Sequence, residues 1–391
     1  MIKQKGRIPA LLPILGFLLW TIESCVPINL GFVSDVGVAP NATVPPRGPT
    51  VTVQPTEIED ILYNPGMGFA DFHLGFGNPP LPASQHPRPT VAYFRWSWAD
   101  LEPAEGQYDF VLVDSVIAQA KAKGETLAFR VMTDYGTGSP RWLLDKGVAS
   151  VKIGDGVFPD YNNLIFLDYH ERLIRAFGKR YAGSSDIDHV DIGSVGCWGE
   201  WNTACCQGVE ALCKRYYPTD ANQIAITDWY FKYFTRTPLV MLVGGQLKYA
   251  TSRGAGWRGD CFGDYGMFGP GWNHMENVYG PAAQDPVIGN AWKTGPVQFE
   301  VCGVMQDWYD KGFDIDLILR KGLEWHMSVL NAGYAPVPAA WRPRVDEFSK
   351  KLGYLDVAIL TQDGSSAHVD LAIEGRRADR WYLVSKLTIR N

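Results

Sequence analysis

The apolar residues of this chain fall into short runs that alternate with longer segments of helical spacing. Runs typical of β-strands are Tyr63 to Phe69, Thr90 to Trp98, Glu125 to Thr133, His189 to Glu200, Leu239 to Gly245, Gly256 to Asp264, Val297 to Val301 and His326 to Asn331. Segments with helical spacing are Phe110 to Lys123, Asp168 to Tyr181, Thr219 to Thr235, Asp307 to Gly322 and Arg342 to Leu352. This alternation is typical of βα units and a parallel sheet.

Eight strands with intervening helices, in roughly 300 residues, predict an α/β protein of the (β/α)8 TIM-barrel class. A doubly wound sheet is the alternative, but it would need a glycine-rich phosphate loop that the sequence lacks. We expect the barrel to span residues 57–353. Residues 354–391 change to strand-like runs between Gly and Ser turns, which predict a small C-terminal β appendage.

The N-terminus predicts export. Lys3, Lys5 and Arg7 precede an apolar stretch that ends at Ile22, so residues 1–25 resemble a signal or lipoprotein-type segment. Glu23 fits a lipoprotein cleavage site poorly, which leaves a plain signal peptide or an uncleaved membrane anchor open. Residues 26–56 are rich in Pro, Gly, Val and Thr and predict an extended linker. We expect an extracytoplasmic protein, either secreted or held at the cell surface by a lipid or membrane anchor.

Six cysteines follow Cys25, and an even number in an exported chain permits disulfides. Cys205, Cys206, Cys213 and Cys261 fall in predicted loops, and we expect at least one bridge among them. Cys197 and Cys302 fall within predicted strands and are expected to be buried thiols. The chain has no CxxC pair, so no metal site is expected, and no other cofactor is indicated. The net charge of -6, without a basic run, argues against nucleic acid as a partner.

The stretch HVDIGSVGCWGEWN, which begins at His189, presents Glu200 between Trp198 and Trp201. Indole faces can stack on a pyranose, and their apolar bulk can raise the pKa of a carboxyl group towards that of a working acid. The alternative is a surface glutamate that is paired with an arginine. Glu300 lies in a similar strand-end context, in GPVQFEVCG. Two carboxyl groups across a barrel mouth are what the cleavage of a glycosidic bond requires.

Other polar and aromatic residues near predicted strand ends are candidates for substrate contacts. Arg95 and Arg130 can keep a catalytic carboxylate ionised, although ordinary buried salt bridges are the alternative. Asp260 and Asp264 are alternative carboxylates, or else turn formers. The full set of predicted substrate-binding residues is Arg95, Arg130, Trp198, Trp201, Asn202, Tyr135, His73, His326 and Trp325. Trp272 is a further candidate for a sugar subsite.

The segment YFRWSWADLEPAEGQYDF resembles the second strand and loop of clan A glycoside hydrolases such as families 5 and 42. NPGMGF and GCWGEWN also resemble uncharacterised bacterial barrel proteins with a C-terminal β domain. The resemblance implies that Glu200, at the end of strand four, is the acid/base and that Glu300, at the end of strand seven, is the nucleophile of a retaining reaction. Gly199 departs from the pattern, because clan A enzymes usually have Asn before the acid/base; Asn202 is a possible substitute.

The sequence therefore predicts a secreted or membrane-anchored glycoside hydrolase that acts on an oligo- or polysaccharide. The alternative is a carbohydrate-binding barrel of the cell envelope that has lost catalysis, because a fold does not fix a function. A purely structural envelope protein would explain the anchor but not the convergence of Glu, Arg and Trp at strand ends. The carboxylate pair distinguishes the first hypothesis from the second.

Overall fold

A computed structural model describes residues 61, 63–73, 81–134 and 138–352, together with the backbone of 51–53, 357–363 and 366–372. The strands are β1 (Val51–Val53), β2 (Gly68–Phe72), β3 (Pro89–Ser97), β4 (Thr126–Met132), β5 (Ser150–Ile153), β6 (Gly156–Pro159), β7 (Ile187–Ile192), β8 (Leu239–Leu242), β9 (Gly256–Phe262), β10 (Val297–Val301), β11 (Val329–Asn331), β12 (Val357–Asp363) and β13 (Ser366–Ala372). The α-helices are α1 (Trp98–Leu101), α2 (Phe110–Lys123), α3 (Arg141–Asp145), α4 (Leu164–Tyr181), α5 (Glu210–Tyr216), α6 (Asp220–Tyr233), α7 (Leu247–Ser252), α8 (Gly280–Gln284), α9 (Met305–Asp310), α10 (Ile315–Glu324) and α11 (Arg342–Lys350). Short 3-10 turns occupy Cys197–Gly199, Ile288–Lys293 and Ala339–Trp341, and Met275–Tyr279 forms a π-helical turn.

Eight parallel strands close into a barrel in the order β2, β3, β4, β7, β8, β9, β10 and β11, and β11 pairs back onto β2. The predicted (β/α)8 barrel is thereby confirmed. In such a barrel all the carboxyl ends of the strands lie at one rim, where the active sites of these proteins are built. The first, fourth, seventh and eighth barrel strands are β2, β7, β10 and β11.

Local sequence explains several of the elements. The four residues of β8 are all buried, as expected for an apolar strand that is covered on both faces. Helix α4 begins after Asn163, whose side chain accepts a hydrogen bond from the Ile165 N–H at 2.9 Å. Helix α2 ends at Gly124, which adopts the left-handed conformation with a φ of 76°.

The structure corrects four predicted elements. The predicted first strand, Tyr63 to Phe69, is displaced, because β2 begins at Gly68 and ends at Phe72. The predicted fourth strand is too long, because β7 ends at Ile192 and the chain then turns through Cys197–Gly199 to reach Glu200. The predicted eighth strand starts too early, since β11 begins at Val329. The predicted helix from Asp307 to Gly322 is divided into α9 and α10 around Gly312, which has a φ of 69°.

Outside the barrel, β1, β12 and β13 form a three-stranded antiparallel sheet. Strands β12 and β13 lie in the predicted C-terminal appendage. Strand β1 lies within residues 26–56, the predicted linker. Residues 1–50, which include the predicted export segment, lie outside the described residues. Within the described part of the chain, no helix has the length and apolarity needed to cross a membrane.

Three disulfides join the six cysteines after Cys25: Cys197–Cys205, Cys206–Cys213 and Cys261–Cys302. The bridge between Cys206 and Cys213 confirms the predicted pairing within the loop cysteines. The prediction of buried thiols at Cys197 and Cys302 is wrong. Cys302 lies just beyond β10, and adjacent β9 carries Cys261 near its end, so the neighbouring strand ends bring the two sulfur atoms together.

Candidate active site

Arginine and carboxylate side chains meet at the carboxyl-terminal rim of the barrel. Glu300 is the fourth residue of β10, and Glu200 follows the turn after β7. Arg95 from β3 lies between them: its Nη1 donates to Glu200 Oε1 at 3.1 Å, and its Nη2 donates to Glu300 Oε2 at 2.5 Å. The two predicted catalytic carboxyl groups therefore share one guanidinium, and they face a common site.

Glu300 is held through one of its two oxygens. Oε2 accepts hydrogen bonds from Arg95, from Arg258 of β9 and from the Asn331 amide, the last at 2.9 Å. Among the described residues, no hydrogen bond reaches Oε1. Hydrogen bonds from charged donors are strong, so this arrangement fixes one oxygen of the carboxyl group and leaves the other available for reaction.

Glu200 has the environment of an acid. Burial, and then the neighbouring negative charge of Asp260, raise its pKa from 4.5 to about 8, although Arg95 and Arg130 oppose the shift. Arg130 Nη1 lies 3.4 Å from Glu200 Oε1, and the Asn202 amide lies 3.4 Å from Oε2. The raised pKa favours the protonated form of Glu200, which is the form that a general acid requires.

Asp260 and Arg258 complete the cluster. Asp260 accepts from Arg130 Nη2 at 2.8 Å and pairs with both Arg95 and Arg258. Burial alone would raise the pKa of Asp260, but Arg130, Arg258 and Arg95 hold it well below its ordinary value. Asp260 was predicted only as an alternative carboxylate, and Arg258 was not predicted at all. The sequence contained one indication of Arg258: it lies two residues before Asp260 on β9, and residues two apart on a strand lie on the same face.

A second layer lies beneath the cluster, inside the barrel. Asp191 from β7 accepts from the Tyr93 hydroxyl at 2.5 Å and from Arg130 Nε at 3.0 Å. The Arg258 guanidinium lies 4.2 Å from the centre of the Tyr93 ring, a cation–π contact. Arg130 and Asp191 are both fully buried, and their ion pair supports the more exposed part of the site from below.

Backbone geometry determines where Glu200 lies. Asp134, at the end of β4, accepts the Trp198 N–H at 2.9 Å, and Trp198 takes a left-handed φ of 56°. Burial raises the pKa of Asp134 to about 7. Gly193 passes so close to Arg130 that an added Cβ would lie 2.6 Å from the arginine Cγ. Gly199 also requires glycine, because its φ is 68° and a Cβ would lie 3.0 Å from the Val131 carbonyl oxygen.

An open cleft of about 490 Å³ begins at this cluster. Its walls come from the ends of β8 and β9 and from the loops that follow β7, β8 and β9, and they include Trp198, Asn202 and Trp272. The volume is within the range of small-molecule sites. Trp198 is half-buried, with part of its surface on the cleft.

Three predicted substrate-binding residues do not face the site. Trp201 is buried, and its indole N–H donates to the Ile192 carbonyl at 2.7 Å, so its ring belongs to the core. Trp325 packs against Phe262 and Phe299. His326 stacks on Trp292 at 4.0 Å, and both His326 and Trp325 precede β11, at the opposite rim from Glu300.

His73 lies just past the end of β2, close to the site. Its ring packs against Phe72 and Phe94, and burial, followed by the nearby charge of Arg95, lowers its pKa to about 4. A neutral imidazole is therefore expected there at neutral pH. Tyr135, the remaining predicted residue, lies outside the described residues. The eighth strand contributes Asn331, which was not predicted. The residue predicted from this strand was His326, which precedes β11.

Comparison with known protein families finds a match within this chain. The family model of glycoside hydrolase family 42, described as beta-galactosidase, matches residues 88–206. That range contains Arg95, Arg130 and Glu200. The match and the closed barrel confirm the predicted resemblance to clan A glycoside hydrolases on a (β/α)8 barrel.

Solved structures of glycoside hydrolases are also similar to this chain. Endo-glycoceramidase II from Rhodococcus sp. is 13% identical with a TM-score of 0.44, covering 81% of this chain and 90% of that one. A family 39 glycoside hydrolase from Bacteroides cellulosilyticus WH2 is 13% identical with a TM-score of 0.44, covering 83% and 71% respectively. A beta-galactosidase from the psychrophilic Marinomonas ef1 is 13% identical with a TM-score of 0.30, covering 44% and 36%. A search of curated proteins finds no match.

Proposed function

We propose that this protein hydrolyses O-glycosidic bonds with retention of configuration, using Glu300 as the nucleophile and Glu200 as the acid/base. The observation that carries the proposal is the different surroundings of the two carboxyl groups that contact Arg95. Glu200 has a pKa of about 8, whereas Glu300 receives three donors on Oε2 and leaves Oε1 available.

In the first step, Glu300 Oε1 attacks the anomeric carbon while the glycosidic C–O bond breaks and Glu200 transfers its proton to the leaving oxygen. A covalent glycosyl-enzyme results. In the second step, the Glu200 carboxylate takes a proton from water, the water oxygen attacks the anomeric carbon, and the bond to Glu300 breaks. Two inversions give net retention. Arg95 stays beside both carboxylates and stabilises whichever is charged.

The first experiment is a screen of aryl glycosides and polysaccharides with the wild-type protein, Glu200→Gln and Glu300→Gln. We expect hydrolysis by the wild type and a loss of at least about a thousandfold in both variants. Glu347→Gln, at an exposed position of α11, is the matched control and should retain full activity. The anomeric configuration of the first product, followed by NMR, should match that of the substrate. An inverted product would contradict the retaining route.

Azide separates the two roles. Glu200→Ala should still be glycosylated by substrates with good leaving groups, which need little protonation, and azide should rescue the second step. Glu300→Ala should not regain turnover with the original anomeric configuration, because the attacking oxygen is missing. The reverse pattern would exchange the two assignments.

One observation favours the second candidate function, a carbohydrate-binding barrel without catalysis. Gly199 stands where clan A enzymes usually carry the Asn that contacts the sugar 2-hydroxyl, and a Cβ at this position would crowd the Val131 carbonyl oxygen at 3.0 Å. Asn202 lies on the other side of Glu200 and is the proposed substitute. Binding of oligosaccharides without hydrolysis of any glycoside in the screen would support this second candidate.

We also propose that the protein is exported. The basic and apolar N-terminal segment and the three disulfides support this location, because disulfides persist in oxidising compartments. Cell fractionation should find the chain outside the cytoplasm, and a cytoplasmic full-length chain would contradict the proposal. A Cys25→Ser variant that remains bound to the membrane would exclude a lipid on Cys25 as the sole anchor.

A further inference from the structure

The cleft lies on the Glu200 side of the site. Its lining includes Glu200, Asp260 and Arg258 at the cluster, and the rest comes from the ends of β8 and β9 and from the loops after β7, β8 and β9. In the described part of the chain, Glu300 and Asn331 do not contribute to it. The acid must contact the oxygen of the leaving group, whereas the nucleophile contacts the sugar that is transferred. The cleft is therefore positioned to receive the leaving group.

The walls of the cleft are mainly apolar. Leu242 ends β8, Val243 follows it, and Val278 lies on the π-helical turn. Phe268 and Trp272 lie at the mouth and are 67% and 46% exposed. Two large aromatic side chains left in water beside one cleft are a common sign of a binding surface.

The exposed aromatic residues are carried by a well-fixed loop. Asp264 is fully buried, and its carboxylate accepts the N–H groups of Gly266 at 2.8 Å, Met267 at 2.6 Å and His274 at 3.1 Å. The Trp272 and His274 rings then meet edge to face at 4.6 Å. Because the loop is ordered by these bonds, a ligand that contacts Phe268 and Trp272 need not bear the entropy cost of ordering it.

Several polar side chains of the cleft already have partners. Arg258 and Asp260 belong to the ion cluster, His274 Nδ1 lies 2.6 Å from Asp264, and the Tyr279 hydroxyl accepts the Cys261 N–H at 2.7 Å. A second sugar would need hydrogen-bonding groups for its hydroxyls. The wall offers apolar surface instead.

We propose that this cleft binds an apolar leaving group, so that the substrates are glycosides of alkyl or aryl alcohols rather than oligosaccharides. The inference rests on the proposed function for the identity of the acid. The binding it requires can nevertheless be measured without turnover.

The test is calorimetric titration of wild-type protein and Glu300→Gln with methyl, hexyl and octyl β-D-galactosides and β-D-glucosides, below their micelle concentrations. Each added methylene group should tighten binding about threefold, as expected when it leaves water for an apolar wall. Trp272→Ala and Phe268→Ala should weaken the octyl glycosides about tenfold and leave the methyl glycosides unchanged. Leu164→Ala, which removes a residue that is 81% exposed at the start of α4, is the matched control and should change neither.

Lactose and cellobiose test the alternative that the cleft binds a second sugar. If they bind more tightly than the octyl glycosides, and if Trp272→Ala weakens them, the cleft is a sugar subsite and the inference is overturned. Affinity that does not depend on chain length also overturns it. Chain-length-dependent binding without hydrolysis of any glycoside would support the cleft assignment and contradict the proposed function. Hydrolysis that does not depend on the leaving group would support the proposed function and contradict the cleft assignment.

Discussion

Glu200 and Asp260 share the guanidinium groups of Arg95 and Arg130 but differ in charge. Asp260 also pairs with Arg258, and Asp191 beneath it pairs with Arg130 and His189. Burial and the negative charge of Asp260 raise the pKa of Glu200, and Arg95 and Arg130 oppose that shift.

Asp260→Asn should move the basic limb of kcat/KM to lower pH by about one unit. The substitution removes a negative charge beside Glu200 and frees Arg95 and Arg130 to pair with it, and both effects lower the pKa of Glu200. The measurement is the pH profile of an aryl glycoside, with the exposed Asp145→Asn as control. An unchanged basic limb would show that Asp260 does not tune Glu200. Complete loss of activity at every pH would instead make Asp260 a catalytic carboxylate.

The raised pKa of Glu200 also predicts a pH-dependent stability. Its pKa is 4.5 in the unfolded chain and about 8 in the folded protein, so the folded state binds more protons between these values. The free energy of unfolding therefore falls as pH rises through this interval. Glu200→Gln lacks this dependence. We expect its Tm, relative to the wild type, to rise by a few degrees between pH 5 and pH 9; a constant difference in Tm would contradict the assignment.

Among the elements, the ends of β9 and β10 carry Asp260 and Glu300 and are joined by Cys261–Cys302. A second bridge, Cys197–Cys205, begins three residues before Glu200. Two of the three disulfides therefore constrain the backbone next to proposed catalytic groups. Barrel strands hold these ends at fixed spacing, and the bridges limit the movement of the loops that leave them.

The disulfides should differ in their contribution to stability. Cys261–Cys302 spans 41 residues and Cys206–Cys213 spans 7. The entropy of the unfolded chain predicts losses of about 4 and about 2.5 kcal/mol when each pair is changed to serine. Urea unfolding of the two double variants is the measurement. Equal losses would show that loop closure does not dominate. The first variant should also lose kcat, because it loosens the strand ends beside Asp260 and Glu300.

At the scale of the whole molecule, all eight barrel strands lie between Gly68 and Asn331. The sheet of β1, β12 and β13 uses residues from both flanks of the barrel segment. The barrel closes by hydrogen bonds among its own strands, so the flanking sheet is not needed for closure.

A shortened chain of residues 57–353 should therefore fold and keep the activity of the full-length protein. Far-UV circular dichroism, Tm and hydrolysis of the same aryl glycoside are the measurements. We expect a Tm within a few degrees of the full-length value. A chain that is insoluble or lacks a cooperative transition would show that β1, β12 and β13 are part of the folding unit.

Much of the fold is predictable from local pattern. Helix α2 and strand β10 have the predicted bounds, because strong periodicity and flanking glycines mark them. The barrel class follows from the repeated alternation of strand and helix. That class in turn brings Glu200, Glu300, Arg95 and Arg130 to one rim, since parallel strands in a barrel all end there. Glu200 follows its strand by several positions, and it was predicted from its local motif.

The rest depends on contacts between distant segments. Arg258, Asp191 and Asn331 have no local motif, and they join the site because strand register and the inward-facing positions of β7, β9 and β11 bring them together. The burial of Trp201 depends on how the loop after β7 folds back, which flanking residues do not reveal. The pairing of Cys261 with Cys302 follows from the adjacency of β9 and β10. Sequence periodicity reports which face of a segment is covered; only the closed barrel determines which side chains share that covered space.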